Sequence, residues 1–103
     1  IYVNPDQVKA QTEGNIIFGL TAALKDPITF KNGAAEQANF DTYRMLRIDE
    51  APRDIQVHIM ENEEAPGGMG EPGLPPIGSA LLNAVYDLTG KRIRKLPFDL
   101  QKV

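Results

Sequence analysis

Ten residues limit this chain more than any others. Gly67-Gly68-Met69-Gly70-Glu71-Pro72-Gly73-Leu74-Pro75-Pro76 holds four glycines and three prolines. Neither a helix nor a central strand tolerates that density of Gly and Pro. The segment must be a loop, and an unusual one. Glycine permits positive φ and close backbone approach, while proline stiffens the same backbone. Such a loop is shaped, either as a rigid surface turn or as part of a site. Gly68, Gly70 and Gly73 also satisfy G-x-G-x-x-G. A dinucleotide fingerprint must join a buried strand directly to a helix. Here Glu61-Asn62-Glu63-Glu64 precedes the glycines, Pro72, Pro75 and Pro76 delay the helix, and the chain is basic where an acid should grip a ribose. That reading is set aside.

The elements around the loop follow from pattern. Asn4-Pro5-Asp6-Gln7 reads as a helix start: Asn4 can cap, Pro5 suits the first helical position, and Asp6 complements the dipole. The helix is expected to reach Lys25, before Asp26-Pro27. Its second half, with Ile16, Ile17, Phe18, Leu20, Ala22, Ala23 and Leu24, is apolar on all sides. A helix of that kind is expected to be buried on all sides, and more protein is expected to pack outside it. Ile28-Thr29-Phe30-Lys31 then alternates, Asn32-Gly33 supplies a hairpin turn, and residues 36–40 are the expected return strand. Residues 41–52 read as irregular, anchored by Met45, Leu46 and Ile48. Residues 55–60 alternate and predict a third strand, with His58 opposite Ile55, Val57 and Ile59. After the loop, Ile77, Leu81, Ala84, Val85 and Leu88 form a helical stripe that Gly90 should end. The order helix, hairpin, strand, loop, helix gives an α+β fold, and residues 1–103 read as one domain.

Composition closes off several functions. The 103 residues carry a formal charge of −3 and a pI near 5.0, so no global basic field attracts nucleic acid. No cysteine is present, which removes disulfides and thiolate metal sites, and His58 alone cannot build a zinc centre. No apolar run approaches the roughly 20 residues of a transmembrane span. Glu61, Glu63 and Glu64 lack the oxygen-ligand spacing of a calcium loop and read as solvated. Lys91, Arg92, Arg94 and Lys95 follow a helix C-terminus, where cations are favoured, and could also dock a partner or a phosphate. From the residues alone, Glu71 could as well be a solvated loop carboxylate, and Gln11 a polar residue on a wet helix turn.

Gly68-Met69-Gly70-Glu71-Pro72-Gly73 with Pro75-Pro76 resembles the active-site loop of the xanthine dehydrogenase and aldehyde oxidase family. The likeness is nearest to the isoquinoline 1-oxidoreductase and membrane-bound aldehyde dehydrogenase branch. Asn4-Pro5-Asp6, Ala10-Gln11, Glu13-Gly14, Ile16-Ile17-Phe18-Gly19-Leu20, Leu46-Arg47, Glu50-Ala51-Pro52, Thr89-Gly90-Lys91-Arg92-Ile93-Arg94 and Leu96-Pro97 continue it in order. Met69 departs from the small or branched residue that many relatives carry there.

The resemblance implies the C-terminal part of a large subunit and a fragment of a larger molybdopterin-binding domain. It implies a hydroxylase acting on an aldehyde or N-heteroaromatic substrate with water-derived oxygen. Molybdenum would be bound as molybdopterin cytosine dinucleotide, and iron–sulfur clusters would lie on another subunit. Glu71 matches the family's catalytic base, while Gln11 and Gly70 match its cofactor side; no residue is assigned as a metal ligand. The expected partners are the rest of the molybdenum subunit, an iron–sulfur subunit and a small-molecule substrate. The isolated chain is expected to be inactive, to bind no nicotinamide dinucleotide and to self-associate. Periplasm is favoured over cytoplasm by the resemblance alone. The competing reading is a stand-alone interaction module with a rigid Gly/Pro loop.

Overall fold

A computed structural model describes residues 2–103. Helix α1 spans Pro5–Leu24. Asn4 caps it as expected, its Oδ1 accepting from the Gln7 N–H at 3.3 Å, with Pro5 at the start and Asp6 in the first turn. Strands β1 (Phe30–Lys31) and β2 (Ala34–Ala35) form an antiparallel hairpin, Phe30 opposite Ala35 and Lys31 opposite Ala34. Its two-residue turn has positive φ at both positions, 52° at Asn32 and 79° at Gly33. That is the geometry whose twist matches paired strands, and Asn-Gly adopts it readily. Helix α2 spans Ile77–Thr89 and ends on Gly90 at φ 73°, whose N–H returns to the Tyr86 carbonyl at 2.7 Å. A 3-10 turn, Leu100–Lys102, follows. These elements match an α+β arrangement.

Three expectations need correction. The return strand is Ala34–Ala35, not 36–40. So tight a turn places it at once, and side chains then replace the ladder: Thr29 N–H donates to Gln37 Oε1, and Thr42 Oγ1 accepts from Ala38 and Asn39. Residues 55–60 form no strand. Ile55, Val57 and Ile59 are still half-buried while Gln56, His58 and Met60 are exposed, so the alternation is real. What is missing is a neighbour, since no backbone–backbone hydrogen bond involves residues 55–60 among the described residues. Ile48 anchors nothing, being 96% exposed, whereas Met45 and Leu46 are half-buried. Ile1 lies outside the described residues; Tyr2 and Val3 are not in a strand.

The two helices pack through a seam of small residues. α1 buries Asn15, Gly19 and Ala23, which lie four residues apart on one face, together with Thr21. A Cβ on Gly19 would stand 2.8 Å from Ile77 Cβ and 3.0 Å from the Leu74 carbonyl. Glycine therefore lets the start of α2 close on α1. Thr21 fastens the irregular segment, its Oγ1 accepting from Leu46 N–H at 3.1 Å. The tail returns over the end of α1, Phe98 N–H donating to the Ala23 carbonyl at 3.0 Å. The inner face of α2 is Ile77, Leu81, Leu82 and Val85; Ala84 and Leu88, expected to join it, face outward.

Little of this is a closed core. α1 is not covered all round, for Phe18 is 54% exposed. The accessible surface is 8178 Å², against about 5,700 Å² for a folded monomer of this mass. The radius of gyration is 16.3 Å, against roughly 13 Å for a compact chain of about 100 residues.

Candidate active site

The Gly/Pro loop and α1 meet along the same face of the helix. One turn closes the loop, Leu74 N–H donating to the Glu71 carbonyl at 3.0 Å, with Pro72 and Gly73 at its centre. Gly73 lies against α1, where a Cβ would come within 3.1 Å of Asn15 Cβ. Ile77 N–H then donates to the Leu74 carbonyl at 3.2 Å and leads into α2. The loop is thus pinned at Gly73 and Leu74, close beside Glu71.

One turn before Asn15, the same face carries Gln11 into a cleft of about 700 Å³. Gly67, Met69 and Gly70 line its other side, with Val57 and His58 between. Two of the three expected site residues, Gln11 and Gly70, therefore share one cleft although far apart in sequence. Glu71 follows Gly70 but does not line the cleft, and its side chain is exposed. His58 and Met60 belong to the lining and were not assigned there from sequence. Their alternation suggested a sheet face, and only the fold of residues 57–60 onto the start of α1 reveals the cleft. Asn15 was also missed. Its signal was the four-residue spacing Gln11, Asn15, Gly19 leading into the apolar half of the helix. Tyr43 and Arg47 line a separate hollow with Asp26 and Arg44.

Gly67, Gly68 and Gly70 are informative because nothing in this chain requires them. None has positive φ, and a Cβ on any of them would meet nothing within 4 Å. The missing side chains of Gly67 and Gly70 leave open space along the cleft. Among the described residues no group of three His, Cys, Asp or Glu could hold a metal ion. The cleft instead offers the Gln11 carboxamide and the backbone of Gly67, Met69 and Gly70. Those donors suit an organic group bearing oxygen and nitrogen acceptors better than a bare cation.

No family model matches the chain. Curated proteins do. It is similar to the beta subunit of isoquinoline 1-oxidoreductase from Brevundimonas diminuta, 43% identical over 93 residues, which is 90% of this chain and 12% of that protein. It is 38% identical over 92% of its length to 12% of a Gluconacetobacter polyoxogenes membrane-bound aldehyde dehydrogenase, whose name carries pyrroloquinoline quinone. It is 32% identical over 98% of its length to 8% of a nicotinate dehydrogenase subunit of Pseudomonas putida. More distant relatives in Escherichia coli are named as molybdenum-binding subunits. The chain thus spans about a tenth of the length of the relatives it matches most strongly.

Proposed function

The chain is homologous, over about nine-tenths of its length, to molybdenum subunits of the xanthine dehydrogenase family, and we propose that it carries the general base of such an enzyme on its Gly/Pro loop. The observation that carries this reading is the junction of Gln11 and Gly70 in one cleft, with Glu71 as the next residue. The whole protein would oxidise an aldehyde or an N-heteroaromatic compound, inserting oxygen from water. The cleft and its glycines fit one edge of a molybdopterin cytosine dinucleotide. When bound, that group supplies the two-electron acceptor and the oxygen-transfer chemistry. Gln11 would donate from its carboxamide and Gly70 from its backbone N–H to acceptors on the group. Glu71 would take up a proton on a carboxylate oxygen as the water-derived nucleophile forms its bond to carbon. Gly70 lets the backbone come close, while Pro72 limits how far the carboxylate wanders.

On the family resemblance, iron–sulfur clusters would reside on another subunit; this chain has no cysteine to hold one. The rest of the molybdenum subunit would supply a neighbour for the alternating residues 55–60 and cover α1. The open packing supports this reading over a stand-alone interaction module. On the same reading the 103 residues are part of one larger domain and inert by themselves. Titrating them with NAD or NADP should give no saturable heat, because the glycine loop lacks the strand-to-helix context of a dinucleotide site.

The test is Glu71→Gln in the full-length enzyme assembled with its partner subunits. Size is kept and the base is lost, so turnover should fall by at least about 10²-fold. Molybdenum and pterin content should stay at the wild-type level. Glu63→Gln, in the acidic run before the loop, should leave turnover within about 3-fold, since neither neighbour of Glu63 lines the cleft, whereas Glu71 directly follows Gly70 of the lining. Equal losses at both positions would sink the assignment.

A further inference from the structure

Among the described residues, the carboxamide nitrogen of Asn15 is the buried side-chain polar atom with no hydrogen-bond partner. The residue is 9% exposed. Leaving such a donor unmatched costs about 1–3 kcal/mol, and an apolar side chain of similar size would avoid that cost. An asparagine buried there needs a reason.

Its surroundings supply one. A Cβ on Gly73 would lie 3.4 Å from Asn15 Nδ2 and 3.7 Å from Cγ. The amide therefore lies beside Gly73 of the Pro72–Gly73 turn. The turn is otherwise held only from within. Among the described residues, the single backbone bond inside 65–74 is Leu74 N–H to the Glu71 carbonyl, and no hydrogen bond ties 65–73 to α1. Asn15 is thus the one buried donor that α1 extends toward the turn carrying Glu71. It also stands one helical turn from Gln11, so a single rigid face serves both the cleft and the loop.

We infer that Asn15 is a positioning residue for Glu71. Its Nδ2–H donates to a backbone carbonyl of the Pro72–Gly73 turn once the cleft is filled, and this bond fixes the carboxylate relative to α1. The inference rests on Glu71 being the base. Gly73, with no β-carbon, is the residue that lets the turn lie this close to Asn15.

The experiment uses the full-length enzyme with its partner subunits, in loaded and cofactor-free forms. Amide exchange is followed at Leu74, with Val85 in α2 as an internal reference. Asn15→Ala removes the donor, Asn15→Asp replaces it by an anion of the same shape, and Asn15→Ser keeps a shorter donor. In the loaded enzyme, Ala and Asp should speed exchange at Leu74 by at least about 10-fold without changing Val85, because the turn opens locally. Turnover should fall about 10-fold with KM within about 3-fold, the pattern of a transition-state effect. Asn15→Asp should also move the acid limb of the pH profile upward, because a nearby anion disfavours a second one. Asn15→Ser should recover part of both losses.

Wild-type exchange at Leu74 in the Ala and Asp variants, with an unmoved pH profile, would show that Asn15 only fills space and would overturn the inference. Faster exchange at Leu74 with unchanged turnover would uphold the hold of Asn15 on the turn and sink the role of Glu71 instead.

Discussion

Gly19 and Gly73 show how single positions set this site. Each lies where a β-carbon would push the loop away from α1, and at Gly19 the obstacle includes the Leu74 carbonyl. Exchanging Gly19 for Ala should gain up to about 1 kcal/mol of helix propensity. The crowding it introduces costs about 1–3 kcal/mol, and backbone cannot swing aside as a flexible side chain can. Crowding wins, so Gly19→Ala should lower the thermal midpoint of the full-length subunit, with loss of activity if the loop moves. A raised midpoint would show that the seam is looser than described. This seam was hard to read from sequence. A search for apolar periodicity passes over Asn15 and Gly19, which are polar and small, although their spacing from Gln11 was visible. Glu71 and Gln11 stood out through family resemblance; residue chemistry alone left both open.

Helix ends and the hairpin turn were the most legible elements, because each depends on a few neighbouring residues. Asn4, Asn32-Gly33 and Gly90 all act as their chemistry implies. Elements that need distant partners were less legible. Residues 55–60 have the alternation of a strand, yet a strand is defined by its ladder, and this chain supplies no neighbour. Their amides should exchange rapidly in the isolated chain and become protected in the full-length subunit; equal exchange in both would deny that a partner strand covers them.

A longer-range link that no local pattern announced is the ion pair of Lys25 and Glu50, which ties the end of α1 to the 47–51 turn. The hydrogen bond from Lys25, and then that from the Arg47 N–H, hold Glu50 below the usual glutamate range. A depressed folded value means that the contribution is present above the unfolded value and is lost as pH falls through the folded one. Glu50 is exposed, so the effect is small and solvent-screened. Glu50→Gln should slightly lower the thermal midpoint near pH 7, and the difference from wild type should fade as the pH is lowered through the depressed folded value of Glu50. A constant difference across that range would remove the ionic explanation.

At the scale of the whole molecule, the chain has more surface and a larger radius than its mass requires of a closed domain. Large apolar side chains remain outside, among them Leu88 at 86% exposure and Phe40 at 78%. Broad exposed apolar surface drives association. The isolated chain should therefore self-associate in light scattering, whereas a clean monomer at high concentration would favour the stand-alone module. This openness was foreshadowed by the all-round apolarity of the second half of α1. Its extent was not, because composition alone implies a chain that buries roughly 65% of its unfolded surface.

The central claim is that Glu71 takes a proton during substrate oxidation. Rapid mixing of the loaded full-length enzyme with saturating substrate, without electron acceptor, isolates the first reduction from later electron transfer. Run across pH, the wild-type rate should fall on the acid side as a single carboxylate becomes protonated. Glu71→Gln, with full molybdenum content, should reduce at least about 10²-fold more slowly and lose that acid limb. Reduction of Glu71→Gln at the wild-type rate, with the acid limb intact, would contradict the account.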